Sequence, residues 1–141
     1  MTQASSKIIV NAPADAIWQV IGDLHAACQY LARVVSCTVE GEGVGALRTL
    51  TSADGSTIVE RLEMLDEANH RLSYALLTDT PFGNCLTTVT VRDLGPRQAE
   101  LAWSATFEAD GLPASEAAEL MEGALAANCR ALKQFMEAGR K

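Results

Sequence analysis

Hydrophobic positions recur every second residue through the middle of the chain and every third or fourth residue near both ends. The alternation of Val35, Cys37 and Val39 with polar residues predicts a half-buried strand. Turn residues at regular intervals then delimit further strands. Together with a short first strand, the predicted strands cover residues 7–11, 34–40, 46–51, 56–65, 71–77, 84–94 and 98–108. These short spacings are typical of an antiparallel meander.

Helical spacing follows the first strand and returns at the end of the chain. Pro13 begins a helix that runs to about Gly22, and a second short helix is predicted near residues 25–31. A long helix is predicted over residues 115–138, and its apolar stripe contains one polar residue, Asn128. The stripe comprises Ala117, Leu120, Met121, Ala124, Leu125, Asn128, Leu132, Phe135 and Met136.

Two charged side chains occupy strand positions that should face the core. Glu60 is in phase with Ile58 and Leu62, and Arg48 is in phase with Leu50 on the preceding strand. If the two strands pair around the turn between them, Arg48 lies opposite Glu60. Because a charge leaves water only when it is paired, neutralised or used on a ligand, the inner face of the sheet is the place to look for function.

The same phase extends along the sheet. Met64 is predicted on the inner face, and the register across the next turn puts Leu62 opposite Tyr74 and Glu60 opposite Leu76. The inner face of the last two strands is predicted to carry Cys85, Thr87, Val89, Val91, Leu101, Trp103, Ala105 and Phe107.

Composition and charge limit the classes of function. The 141 residues, 48% hydrophobic and 21% charged, are typical of one globular domain, in which we expect residues 1–6 to be flexible. A net charge of −7 argues against nucleic acid as a partner. No segment approaches the roughly 20 apolar residues of a membrane span, and the first residues do not form a signal segment, so we expect a cytoplasmic protein. The oligomeric state stays open.

The cysteines and histidines do not follow the spacing of a metal site. The four cysteines (28, 37, 85 and 129) are far apart in sequence, and the chain has only His25 and His70 as possible nitrogen ligands. We therefore predict no metal and no cofactor. In a reducing compartment, all four cysteines are best interpreted as small hydrophobic side chains without disulfides.

Three segments, residues 11–23, 43–48 and 60–74, carry a resemblance to a known superfamily. Along essentially its whole length the chain resembles the SRPBCC superfamily, which is named after START domains, polyketide cyclases and the major birch-pollen allergen. It resembles bacterial polyketide cyclase/dehydrase-type proteins most. The resemblance implies an α+β helix-grip fold, in which a seven-stranded antiparallel curved sheet wraps around a long C-terminal helix and two short helices follow the first strand.

A more distant resemblance to plant abscisic-acid receptors bears on the site. In those receptors the residues that match Glu60, Tyr74 and Asn128 line the ligand cavity and share a water network. We predict that this chain binds or carries a small hydrophobic molecule (a lipid, polyketide, quinone or aromatic) in a cavity of about 300–1,000 Å³, entered between turns 52–55 and 78–83. The predicted ligand contacts are Arg48, Glu60, Tyr74 and Asn128 for polar groups, and Leu50, Ile58, Leu62, Leu76, Trp103 and Phe107 for contact area.

Other interpretations stay open. Arg48 and Glu60 could form an internal ion pair that only fixes strand register. The chain could instead be an enzyme of the cyclase/dehydratase kind, in which Glu60 or Tyr74 transfers a proton on a polyketide-like or carbonyl substrate while Arg48 polarises an oxygen. A third possibility is an interaction module with a vestigial cavity. We assign no catalytic residue.

Overall fold

One antiparallel sheet of seven strands curves around a long C-terminal helix. The computed structural model describes residues 1–78 and 80–138. Asp79, which belongs to the predicted entrance turn 78–83, and residues 139–141, which belong to the predicted domain, lie outside the described residues. Numbered in chain order, the strands lie in the sheet in the order 1-7-6-5-4-3-2. The architecture confirms the predicted α+β helix-grip fold.

The element bounds follow the predicted pattern closely. The strands are β1 (Thr2–Val10), β2 (Val34–Glu40), β3 (Leu47–Ser52), β4 (Thr57–Asp66), β5 (Arg71–Leu76), β6 (Phe82–Asp93) and β7 (Ala99–Ala109). The helices are α1 (Ala14–Gly22), α2 (Ala27–Tyr30), which follows a 3₁₀ turn (Leu24–Ala26), and α3 (Ala114–Ala138). Pro13 precedes α1, where a missing N–H costs nothing, and Asp15 lies in the first turn.

The register at the centre of the sheet confirms the pairing predicted from phase. Arg48 lies opposite Glu60 across β3 and β4. On the other side of β4, Leu62 lies opposite Tyr74 and Glu60 opposite Leu76. Since cross-strand partners share a face, these pairs bring the ionic side chains, Tyr74 and Leu76 together on the concave side.

Two predictions about the strands are corrected. The first strand begins at Thr2 rather than at Lys7, because residues 2–6, which we expected to be flexible, pair with β7. In β4 the register shifts between Leu62 and Met64, so Leu65 rather than Met64 packs against the core. A bulge adds one residue to the strand and reverses the face of every residue beyond it.

Helix α3 is rotated relative to the predicted stripe. Its buried residues are Ala117, Met121, Leu125, Cys129 and Leu132. Leu120 is 53% exposed and Phe135 is 38% exposed. The helix packs mainly against β1 and β7 at one edge of the sheet, which selects Cys129 as a core residue and turns the Leu120 side toward solvent.

Candidate functional site

A cavity of about 210 Å³ lies between α3 and the concave face of the sheet. Its walls are mostly apolar, and its polar members are Glu60, Tyr74, Asn128 and two threonines. The lining residues are Ile58, Glu60, Tyr74, Leu76, Thr80, Phe82, Cys85, Thr87, Trp103, Met121, Ala124, Leu125 and Asn128. The cavity is smaller than predicted from sequence. It combines an apolar wall with a few convergent polar groups, which is typical of small-molecule sites.

Glu60, at the polar end of the cavity, forms a buried ion pair with Arg48, which lies behind it. Arg48 Nε and Nη2 both donate to Glu60 Oε1, at 3.1 and 2.7 Å, and the two side chains are 5% and 13% exposed. The Arg48 guanidinium lies 5.1 Å from the centroid of the Tyr74 ring, within the range of a cation–π contact. Glu60 Oε2 makes no hydrogen bond with the described residues. Among these residues, every fully buried side-chain nitrogen or oxygen has a hydrogen-bond partner, so Oε2 is not fully buried. Oε2 is therefore the accessible oxygen.

Tyr74 contributes a neutral hydroxyl to the same end. Its oxygen accepts a hydrogen bond from Trp103 Nε1 at 3.0 Å, which leaves the hydroxyl proton available for a ligand. Burial, reinforced by the negative charge of Glu60, raises the pKa of Tyr74 far above its ordinary value. Tyr74 therefore stays protonated at physiological pH and can donate to a ligand oxygen.

Tyr30, on α2, is a further member of this polar cluster. Burial raises its pKa to about 12, while the positive charge of Arg48 acts in the opposite direction. Tyr30 was not predicted as a site residue, because α2 has only four residues and no helical periodicity that marks an inward face. Its place beside Arg48 results from the packing of α2 against β2 and α3.

Burial shifts the pKa values of the two members of the ion pair in opposite directions. Burial raises the pKa of Glu60, and the positive charge and hydrogen bonds of Arg48 only partly reverse this shift. Burial acts to lower the pKa of Arg48, yet the negative charge and the hydrogen bond of Glu60 raise it overall. Arg48 is thus permanently charged, whereas Glu60 is the member whose proton occupancy the site can change.

The family model described as "Polyketide cyclase / dehydrase and lipid transport" matches residues 1–137. The chain belongs to this family. The sequence resemblance to the SRPBCC superfamily is thereby confirmed over nearly the whole chain. The family description covers cyclases, dehydrases and lipid-transport proteins, so membership allows both ligand binding and chemistry in the cavity.

Solved structures show the same fold. The protein XoxI from Bacillus cereus is 25% identical, with a TM-score of 0.88 over 96% of both chains. The Zhui aromatase/cyclase from Streptomyces sp. R1128 is 20% identical, with a TM-score of 0.80 over 99% of this chain and 95% of that one. A START superfamily protein from Mycobacterium smegmatis is 18% identical, with a TM-score of 0.82 over 98% and 99%. The last two, at this identity, establish the fold alone.

Six of the ten residues predicted from sequence as ligand contacts line the cavity: Ile58, Glu60, Tyr74, Leu76, Trp103 and Asn128. The other four do not. Each of these four is bonded to, paired across strands with, or in ring contact with a lining residue. They are Arg48 (bonded to Glu60), Leu50 (opposite Ile58), Leu62 (opposite Tyr74) and Phe107 (edge-on to Phe82, ring centroids 5.2 Å apart).

This difference has a physical reason. Strand phase identifies the whole inner face of the sheet, but α2 packs over part of that face, next to Arg48. Leu62, for example, lines a separate pocket together with Leu24 and His25 of the 3₁₀ turn. The cavity lies in the remaining part, and its other lining residues, which we had not predicted as ligand contacts, come from β6, the segment before it and α3: Thr80, Phe82, Cys85, Thr87, Met121, Ala124 and Leu125.

Within residues 1–78 and 80–138, no group of three or more histidine, cysteine or acidic side chains is arranged to hold a metal ion. Over the same residues, no helix combines the length and the apolarity that crossing a bilayer requires.

The raised pKa of Glu60 predicts a pH dependence of stability. Glu60 has an ordinary pKa of 4.5, and its folded-state value is higher, so the folded protein binds this proton more tightly than the unfolded chain. Its favourable contribution is complete below about pH 4.5 and is lost as the pH rises through the folded-state value. The unfolding free energy of the wild type minus that of Glu60→Gln, measured by urea denaturation from pH 4 to 8, is expected to decrease as the pH rises. An increasing difference would contradict the direction assigned to Glu60.

Proposed function

We propose that this protein binds and carries a small hydrophobic molecule whose enclosed end bears a hydrogen-bond donor. The observation that carries this proposal is the cavity itself, in which a mostly apolar lining meets the unpaired Oε2 of Glu60. An engineered protein cavity of about 150 Å³ is sufficient for benzene. A volume of about 210 Å³ therefore suits one substituted ring or a bicyclic aromatic better than a long lipid chain.

The hydrogen-bonding groups favour a hydroxyl at the enclosed end. Glu60 Oε2 can accept a proton donor, while Tyr74 can donate to the same hydroxyl oxygen. The amide of Asn128 lines the cavity and makes no hydrogen bond with the described residues, so it is available as a second polar contact. A ligand carboxylate would meet the negative charge of Glu60, and Arg48, which could offset it, does not line the cavity.

One observation favours catalysis as a second candidate function. Burial raises the pKa of Glu60, and Glu60 shares the cavity with a protonated Tyr74. A carboxyl group with a raised pKa beside a neutral hydroxyl in a mostly apolar cavity is typical of proton-transfer sites. An enzyme of the cyclase/dehydratase kind, acting on a polyketide-like or carbonyl substrate, would use Glu60 as the group that gains and loses the proton.

Native mass spectrometry of protein purified from its own host separates these functions. A copurified neutral molecule about as large as one or two rings supports binding and carriage. Conversion of that molecule during incubation with fresh protein would favour catalysis. An empty protein that also fails to bind small aromatics would contradict both and favour an interaction module.

Titration with matched naphthalene derivatives tests the chemistry of the cavity. For 2-naphthol we expect one bound molecule and a Kd of about 10–100 μM, which corresponds to roughly 0.5 kcal/mol per ligand heavy atom. We expect weaker binding of naphthalene, which lacks the donor, and no measurable binding of 2-naphthoate at the same concentrations.

The matched variant is Glu60→Gln, which removes the charge but keeps an acceptor for Arg48. This variant is expected to gain affinity for 2-naphthoate, because the carboxylate then faces an amide and Tyr74 instead of a second carboxylate. Calorimetry measures both titrations. Equal binding of 2-naphthol and 2-naphthoate by the wild type would contradict the proposed selectivity.

A further inference from the structure

A groove of about 460 Å³ lies on the solvent side of α3, next to the cavity. It is bounded by α3 and by the segment that connects α2 to β2, and it shares two residues, Ala124 and Asn128, with the cavity. One turn of α3 therefore forms a wall of both spaces. The groove is lined by Ala32, Arg33, Leu120, Gly123, Ala124, Ala127, Asn128 and Arg130.

The charge of this groove is opposite to that of the protein. The chain has 18 acidic and 11 basic side chains, yet among the described residues the lining of the groove contains two arginines and no carboxylate. Neither Arg33 nor Arg130 forms an ion pair with the part of the chain that the structure describes. An arginine fork matches the oxygens of a phosphate, and two unpaired forks beside one groove create a local site for an anion on an acidic surface.

The backbone holds Arg33 in place. Its φ is 67°, in the left-handed region that residues other than glycine rarely adopt. Its carbonyl oxygen accepts a hydrogen bond at 3.3 Å from the N–H of Ala53, in the turn between β3 and β4. This turn is one side of the entrance predicted from sequence. The backbone of Arg33 is thus bonded to the entrance turn, in a strained conformation of the kind that often occurs at functional positions.

We propose that this groove binds a phosphate ester at the outer end of the same ligand whose hydroxylated ring occupies the cavity. This inference rests on the proposed function. The ring would contact Glu60 and Tyr74, and the phosphate would pair with Arg33 and Arg130. The connecting part of the ligand would cross α3 at Ala124 and Asn128, where Gly123 and Ala127 leave room for it and Leu120 offers apolar contact.

Two probes that differ only at their outer end test the proposal: 4-(4-hydroxyphenyl)butyl phosphate and 4-(4-hydroxyphenyl)butan-1-ol. We expect the phosphate to bind about tenfold more tightly than the alcohol at low ionic strength, as two partly exposed charge pairs would provide. The advantage should shrink with added salt. In the double variant Arg33→Gln/Arg130→Gln the advantage should disappear, while the affinity for the alcohol stays unchanged.

Glutamine keeps the Cβ atom of Arg33, so the substitution leaves the backbone strain as it is. The matched control is Lys7→Gln/Arg97→Gln, which removes the same charge at exposed positions that line neither the groove nor the cavity and should keep the tenfold difference. A phosphate advantage that survives in Arg33→Gln/Arg130→Gln, or that is absent in the wild type, would overturn the proposal.

The outcomes also separate this inference from the proposed function. If the alcohol and 2-naphthol bind but the phosphate has no advantage, the groove assignment fails and the cavity assignment stands. If none of the three binds, both fail.

Sedimentation with phosphatidylglycerol vesicles distinguishes a soluble phosphate ester from a lipid headgroup in a membrane: we expect the acidic protein to stay in the supernatant. Sedimentation that depends on Arg33 and Arg130 would overturn the assignment to a soluble ester.

Discussion

Replacing Glu60 with leucine is expected to lower the free energy of unfolding by about 3–5 kcal/mol, although leucine is the more hydrophobic residue. The loss arises at Arg48, whose side chain is only 5% exposed and whose two hydrogen bonds to Glu60 Oε1 would both be lost. A buried guanidinium without a counter-charge cannot escape the cost by losing its proton, because arginine stays charged at all accessible pH values. Urea denaturation of the two proteins at pH 7 measures the difference.

Removing both charges should restore most of this stability. The double variant Arg48→Met/Glu60→Leu is expected to be within about 1 kcal/mol of the wild type or more stable, because two desolvation penalties disappear together with the pair. The raised pKa of Glu60 points the same way, since it indicates that burial outweighs the attraction to Arg48. Additive losses in the double variant would contradict this account and show that each side chain contributes independently.

The matched control lies on the other face of the same strand. Arg61 Nη2 and Glu63 Oε1 form an ion pair at 2.9 Å, but the two side chains are 44% and 35% exposed. The substitution Glu63→Leu is expected to cost less than about 1 kcal/mol, because solvent screens both charges. The contrast between Glu60 and Glu63 isolates the effect of burial from that of the ion pair.

Filling the cavity is expected to abolish ligand binding without unfolding the protein. Cys85 is 3% exposed, lies on β6 and lines the cavity. In Cys85→Phe the added ring would occupy space that the wild type leaves open, so most of the usual cost of overpacking, about 1–3 kcal/mol, should be avoided. We expect the affinity for 2-naphthol to fall at least 100-fold, or about 2.7 kcal/mol. Calorimetry and urea denaturation measure binding and stability separately.

The control for this experiment is Cys85→Ala, which enlarges the cavity slightly. This variant should bind 2-naphthol with an affinity close to that of the wild type, which would show that the thiol itself is not required. Burial also raises the pKa of Cys85, so the thiol stays protonated and has no obvious role as a nucleophile. Unchanged 2-naphthol binding by Cys85→Phe would place the ligand elsewhere and contradict the proposed site.

Strand phase was sufficient to find the centre of the site. The alternation around Glu60 and the position of the turn before Thr57 together determined that Arg48 and Glu60 are neighbours, because antiparallel pairing leaves one register once a turn is located. The same logic failed beyond Leu62, where a bulge shifts the register. A bulge adds a residue without a composition signal of its own, so Met64 was assigned to the wrong face.

The sequence by itself determined the helix-grip architecture, the family and the presence of two ionic side chains on the inner face, because these depend on periodicity, turn residues and motifs that are local in the chain. Only the tertiary structure decided the size of the cavity, the rotation of α3 that turns Leu120 outward, the position of Tyr30 beside Arg48, and the adjacency of Arg33 and Arg130. These features depend on how helices that are distant in sequence pack over the sheet. Periodicity shows which face of an element is apolar, but not which part of that face its neighbours cover.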